Sequence, residues 1–218
     1  MAAGRDGLEA LVARIGRCRV CRDEPSGRPL PHEPRPVLQV GTVAPALLLC
    51  GQAPGTRAHA SGKPFSDPSG QRLRAWLGVS EAEFYDAGRI AIVPMGFCFP
   101  GTDPRGGDRP PRPECARTWH GALLDAIGEP GLTVTLGAPA LRHHLARRGS
   151  ADLMAGTLDA TLAAWRTLLA EARILALPHP SWRNTHWLKR NPWFDAELLP
   201  VLRAEVDRLL RAPGGPRT

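Results

Sequence analysis

The sequence predicts an α/β fold: a three-layer α/β/α arrangement around a four-stranded parallel sheet, in one domain over residues 1–218. Three observations predict it. Four short apolar runs, ALLLCG (46–51), RIAIVPM (89–95), LTVTLG (132–137) and ARILALP (172–178), suit strands buried on both faces. Helical patterns stand between them, and strand alternating with helix implies a parallel sheet covered on both sides. No internal repeat or composition break divides the 218 residues, a length that one domain accommodates.

Taken in order, residues 7–17 (GLEALVARIGR) carry Leu8, Leu11, Val12 and Ile15 at helical spacing and lead into a C-x-x-C. Residues 22–45 are Pro-rich and read as an extended arm before the first strand. Further helices are expected over GQRLRAWLG (70–78), CARTWHGALLDAIG (115–128) and APALRHHLARR (138–148). LDATLAAWRTLLAEA (158–172) and DAELLPVLRAEVDRLL (195–210) are amphipathic in the same way. The tail RAPGGPRT (211–218) loses periodicity and should fray.

The formal net charge is +7, and lysine contributes only Lys63 and Lys189. A basic surface attracts polyanions, nucleic acid first among them. The pull of that argument is moderated by an Ala/Arg/Gly/Pro-rich composition that raises arginine everywhere. The longest apolar run, VAPALLLC, is far short of the ~20 residues that span a bilayer. The opening MAAGRDGLEALVARI lacks the apolar core of a signal peptide. A soluble, cytoplasmic, monomeric protein is therefore expected, with no membrane partner. In that compartment clustered cysteines argue for metal and against disulfides.

Cys18 and Cys21 form the C-x-x-C, while Cys98 and Cys115 flank the stretch FPGTDPRGGDRPPRPE. Four thiolates suit tetrahedral zinc or an iron–sulfur cluster. Cys50 sits inside ALLLCG and reads as a core residue.

In open α/β sheets ligands bind beyond the carboxyl ends of the strands, so GQAPGTRAHASGKPFSDPSG, GFCFPG, GAPAL and HPSWRNTHW are the segments to interrogate. Gly51-Gln52-Ala53-Pro54-Gly55 makes a sharp turn but lacks the signatures of a P-loop or a dinucleotide site. Phe65 reads either as core or as a pocket aromatic. Asp67 reads either as the N-cap of a helix starting near Ser69 or as a pocket carboxylate. His179, at the end of the fourth strand and ahead of a rigid proline, is placed to donate a hydrogen bond. A loop holding Ser181, Trp182, Arg183, Trp187, Lys189 and Arg190 can wedge an aromatic into a base stack and grip phosphates.

Together these residues resemble the uracil-DNA glycosylase superfamily, from about residue 10 to about residue 210. GQAPG resembles its first active-site motif, HPS its second, and GKPF…GQ the segment between. The spacing of Cys18, Cys21, Cys98 and Cys115 resembles the ligand set of the family 4 and family 5 enzymes, which implies a [4Fe–4S] cluster of structural role. The resemblance implies hydrolysis of the N-glycosidic bond of uracil, or another deaminated base, flipped out of DNA. It implies a base pocket of Gly51, Gln52, Ala53 and Phe65, with Phe65 stacking on the base, and a His179 that stabilises the departing uracil through O2. Two departures stand out. Gln52 and Ala53 supply no carboxylate where related families have one, so Asp67 is expected to orient the water and stabilise the sugar cation, with the Gln52 and Ala53 backbone or Asn184, also expected among the substrate-binding residues, as the alternative holders of the water. Pro94 stands where family 4 reads the base edge with asparagine, which implies looser discrimination. A non-catalytic nucleic-acid-binding homologue and a zinc-stabilised module are the competing readings; His59 has no assigned role.

Overall fold

The computed structural model describes residues 2–104 and 106–212, so residues 213–218 of the expected frayed tail lie outside the described residues. Its sheet has four strands: β1 (Leu47–Cys50), β2 (Ile90–Ile92), β3 (Leu132–Leu136) and β4 (Ile174–Leu177). All pairings are parallel, in the order β2-β1-β3-β4. Leu47 lies opposite both Ile90 and Leu132, and Thr133 opposite Ile174. Each strand falls inside one of the four apolar runs, and every strand residue is buried. That is why continuous apolar character, rather than alternation, marks most of them.

Alternation survives as a division between two cores. Leu47, Leu49, Ile90, Ile92, Val134 and Leu175 face Leu73, Trp76 and Leu77 of helix Pro68–Leu77 and Leu202 and Val206 of helix Leu199–Arg211. Leu48, Cys50, Ala91 and Val93 face the other way. They meet Leu8 and Ile15 of helix Ala2–Gly16 and Leu123 and Ile127 of helix Gly121–Ile127. Ile174 and Ala176 continue that second face against Leu141 and Leu145 of helix Ala138–Arg147. Helices thus cover both faces of a parallel sheet, the expected three-layer α/β/α architecture. Cys50 is fully buried among these apolar side chains, and burial pushes its thiol pKa up.

The departures have local causes. Pro200 has no backbone N–H, so the expected helix over 195–210 begins as a wider turn, Phe194–Leu198, before Leu199–Arg211. The expected helix over 158–172 divides at Ala164 into Leu158–Ala163 and Trp165–Ala172. The segments read as loops carry short helices, Thr56–Ser61 after β1 and Thr185–Arg190 after β4. The arm is largely extended, as its prolines dictate. Gln39 exchanges two backbone hydrogen bonds with Ile92 (2.9 and 2.7 Å), and Val37 donates to Phe97 (2.7 Å). Among the described residues no helix is long and apolar enough to cross a membrane.

The strand order sets the position of the site. The chain leaves β1 for β2 on one side and then returns to β3 on the other. The connections diverge there, opening a crevice at the carboxyl ends of β1 and β3.

Candidate active site

Two cavities meet at this crevice. An inner pocket of about 70 Å³ is lined by Gly51, Gln52, Ala53, Phe65, Asp67, Pro94, Asp108 and His179. A cleft of about 690 Å³ shares Gln52, Ala53, Asp67, Asp108 and His179 with it and adds Arg57, Arg72, Arg109, Trp182 and Arg183. A small, partly apolar recess therefore joins a wide trough rich in arginine.

The recess is built around glycine and phenylalanine. Gly51 follows β1, and its carbonyl and that of Gln52 accept from Met95 (2.9 Å) and Gly96 (2.8 Å), tying the turn to the exit of β2. A Cβ on Gly51 would lie 3.2 Å from the Phe65 ring, so the ring rests directly on this backbone. Phe65 has φ 52°, a left-handed conformation that costs a bulky residue about 1–3 kcal/mol and persists only when its surroundings enforce it. Three neighbours do so. Tyr85 donates its hydroxyl to Pro64 O (2.9 Å) and Phe65 O (3.3 Å). Phe84 meets the ring edge-on at 6.2 Å. Gly70 presses on the carbonyl, where a Cβ would come within 1.8 Å of Phe65 O.

Both readings of Asp67 hold. Its Oδ1 accepts from Gly70 N at 3.0 Å, capping helix Pro68–Leu77, and its side chain also lines the pocket. His179 follows β4. Desolvation lowers its pKa, opposed by the carboxylates of Asp67 and Asp108. A ring with a lowered pKa is neutral near pH 7 and offers one N–H as donor. Asn184 donates to His179 O (2.7 Å), and Arg72 donates to Ser181 O (3.0 Å), so both fasten the loop that presents the histidine. Asn184 lines the outer cleft and is not among the inner pocket residues.

Asp108 is the site residue that sequence reasoning missed. The stretch between Cys98 and Cys115 reads as a polar spacer, and the only signal in it is an aspartate after two glycines. The structure folds it into a small hairpin: Thr102 bridges Asp108, Asp103 N donates to Gly107 O (2.8 Å) and Arg109 N to Gly101 O (2.9 Å). Gly107 has φ 94°, and a Cβ there would lie 2.5 Å from Arg183 Nη1. Only glycine gives both the turn and room for the guanidinium. Asp108 is exposed at the rim, yet protein atoms crowd its carboxyl enough that desolvation raises its pKa, against the pull of Arg183 and His179 and with reinforcement from Asp67.

On the outer wall Trp182 is 75% exposed, with the Arg183 guanidinium 5.8 Å from its ring. Lys189 and Arg190 are exposed on helix Thr185–Arg190. Trp187, expected at the same surface, turns inward instead. Its indole donates to Asp159 (2.8 Å) and its ring meets Trp193 and Phe194 edge-on at 5.8 and 5.9 Å. Two aromatic partners, Trp193 and Phe194, hold it against the core.

Cys21, Cys98 and Cys115 are buried in the core on the Leu48 and Cys50 face of the sheet, and Cys18 is half-buried. Trp119 Nε1 donates to Cys18 Sγ (3.1 Å), and Phe97 N donates to Cys115 Sγ (3.4 Å). The Cys21 and Cys115 thiols share a hydrogen bond that lowers the pKa of the first and raises that of the second. Burial pushes Cys98 up to about 12, with smaller contributions from Cys21 and Cys18 nearby. The thiols gather in one neighbourhood and already receive N–H donors, as cluster-bound thiolates do. Among the described residues, no three His, Cys, Asp or Glu side chains stand at metal-holding distances. Behind the pocket wall, buried His120 stacks on Phe97 (5.3 Å) and approaches Pro94 O at 3.2 Å.

The model of the uracil DNA glycosylase superfamily matches residues 38–203. That span takes in all four strands, every pocket-lining residue named above, and Cys98 and Cys115, and it leaves Cys18 and Cys21 outside.

Proposed function

The chain belongs to the uracil DNA glycosylase superfamily, and on that premise we propose that it excises uracil, and other deaminated bases less selectively, from DNA by hydrolysing the N-glycosidic bond of a flipped nucleotide. The observation that carries the reading is the meeting of an aromatic, a carboxylate and a desolvated histidine in a recess that opens onto an arginine-lined cleft. A duplex cannot enter such a recess, and one base rotated out of the stack can.

Cleavage builds positive charge on the sugar and negative charge on the departing base. Phe65, fixed on Gly51, offers its face to the base. His179 donates its N–H to a base oxygen, and a neutral donor in a desolvated setting favours charge that develops only as the bond breaks. Asp67, held by its cap, keeps a carboxylate beside the sugar. Pro94 in the wall has no side-chain hydrogen-bonding group, which supports a broader range of bases. Trp182 and Arg183 stand where the flanking DNA would be wedged and its phosphates held.

Cys18, Cys21, Cys98 and Cys115 would hold a [4Fe–4S] cluster, which when bound serves as a structural tie between the N-terminal segment and the middle of the fold. The nature of the donors and the N–H groups already directed at Cys18 and Cys115 support that assignment. A gel assay with oligonucleotides containing uracil, hypoxanthine or xanthine tests the activity. Release of uracil, with weaker release of the others, is expected. DNA binding with no release from any of them would establish a non-catalytic homologue instead.

A further inference from the structure

Three titratable groups, Asp67, Asp108 and His179, line both the inner pocket and the outer cleft. The boundary they mark has a chemical meaning if the glycosylase reading holds, on which this inference rests. A flipped base would occupy the recess and the DNA backbone the cleft, so the bond to be broken would cross that boundary.

The two carboxylates are not equivalent. Asp67 Oδ1 is committed to Gly70 N, so the group is fixed as part of the helix terminus. Asp108 sits on a hairpin closed by Thr102, Gly101 and Gly107, and no donor among the described residues is hydrogen-bonded to its carboxylate. A Cβ on Gly55 would lie 3.4 Å from Asp108 Oδ2, which places the carboxylate against the turn that follows Gln52 and Ala53. A fixed carboxylate suits a standing charge. A carboxylate with free lone pairs at the solvent rim suits a water molecule.

We propose that Asp108 is a second catalytic carboxylate, which holds the attacking water and accepts its proton, while Asp67 stabilises the charge on the sugar. In this step the water oxygen bonds to C1′ as the bond between C1′ and the base nitrogen breaks. The electron pair of that bond leaves with the base, whose oxygen is held by His179. The water proton passes to the Asp108 carboxylate and from there to the released base or to solvent, leaving a hydroxyl on C1′. The direction of its pKa agrees, since crowding makes Asp108 a stronger proton acceptor than a free aspartate. Its position also explains how hydrolysis can proceed when Gln52 and Ala53 bring no carboxylate of their own.

The test compares wild type with Asp108→Asn, Asp108→Glu and Asp67→Asn in single-turnover cleavage of a uracil-containing oligonucleotide across the acid range. Binding to an oligonucleotide carrying a stable abasic analogue is measured beside it. Asp108→Asn is expected to slow cleavage about 10²–10⁴-fold, the usual range for a general base. It should also abolish the fall in rate with decreasing pH, while binding is kept. Asp108→Glu should restore that pH dependence with part of the rate, and Asp67→Asn should slow the reaction while retaining it. Asp108→Asn with wild-type rate, or slowed with its pH dependence intact, overturns the assignment while leaving the glycosylase reading standing. A wild-type protein that releases no base from any of the three substrates overturns both.

Discussion

Asp67 carries two separable roles, and a pair of substitutions tells them apart. The capping role is one hydrogen bond of 3.0 Å at the start of a helix of 10 residues. Alanine removes it, at a cost of about 1 kcal/mol. In a chain of 218 residues that amounts to about 2–4 °C in Tm. Asparagine caps as well as aspartate does and loses only the favourable charge at the helix start, so its Tm should stay close to wild type. Both substitutions remove the pocket carboxylate. Rate losses of about 10²–10³-fold are expected for each, by analogy with deleting one preorganised electrostatic partner of a transition state. Thermal unfolding and single-turnover cleavage on the same samples give the two readouts, and DNA affinity should be unchanged. The reasoning fails if Asp67→Asn cleaves at near wild-type rate. Asp67 would then be a cap alone, and the mechanism would rely mainly on stabilising the leaving base.

Anaerobically purified protein should be brown and contain iron, and serine at any of Cys18, Cys21, Cys98 or Cys115 should lower both iron content and Tm; zinc without iron would refute the cluster. Trp182→Ala should weaken DNA binding and leave Tm unchanged, because Trp182 is 75% exposed; Arg183→Ala should weaken binding and also lower Tm, because its guanidinium packs on Gly107. Trp187→Ala should do the reverse, losing its contacts with Asp159, Trp193 and Phe194, and a DNA-binding defect at normal stability would show that the inward packing opens on binding. His120 and His144 are buried, and desolvation lowers their pKa from 6.5 to about 4 and about 3. The unfolded chain binds protons there that the native state refuses, so their contribution is complete above pH 6.5 and is lost as pH falls toward those lower values. Tm should decline through that window, less steeply in His144→Leu, and a wild-type Tm that is flat from neutral pH to about pH 4.5 would refute it.

The sheet was legible because burial on both faces leaves little choice of residue: Leu47–Cys50 and Ile174–Leu177 contain nothing polar beyond a buried thiol. The motif segments were legible because strand ends are where an α/β sheet exposes backbone to a ligand. Asp108 was not. Nothing in GGDRPP states that a hairpin will turn this aspartate toward His179, since the fold of that stretch depends on Arg183, 75 residues further along (183 − 108), packing on Gly107. Trp187 failed for a related reason. An indole in a polar loop looks the same whether it faces DNA or packs on Trp193 and Phe194, and only tertiary contacts decide. The breaks at Ala164 and before Pro200 lie within unbroken amphipathic patterns, because face periodicity reports burial and is blind to how the backbone bonds are made.

The bridge between Gln39 and Ile92 bears on how any truncation of this protein should be interpreted. β2 is an outer strand of the sheet, and a free outer strand presents unpaired amide and carbonyl groups on which another chain can template. The arm occupies that position, so it guards against self-association as well as linking the first cysteines to the fold. Deleting residues 1–45 to remove Cys18 and Cys21 would strip away the guard at the same time. Aggregation of such a fragment would report an uncovered strand whether or not a metal had been lost, whereas the point substitutions Cys18→Ser and Cys21→Ser leave the arm in place and separate the two effects.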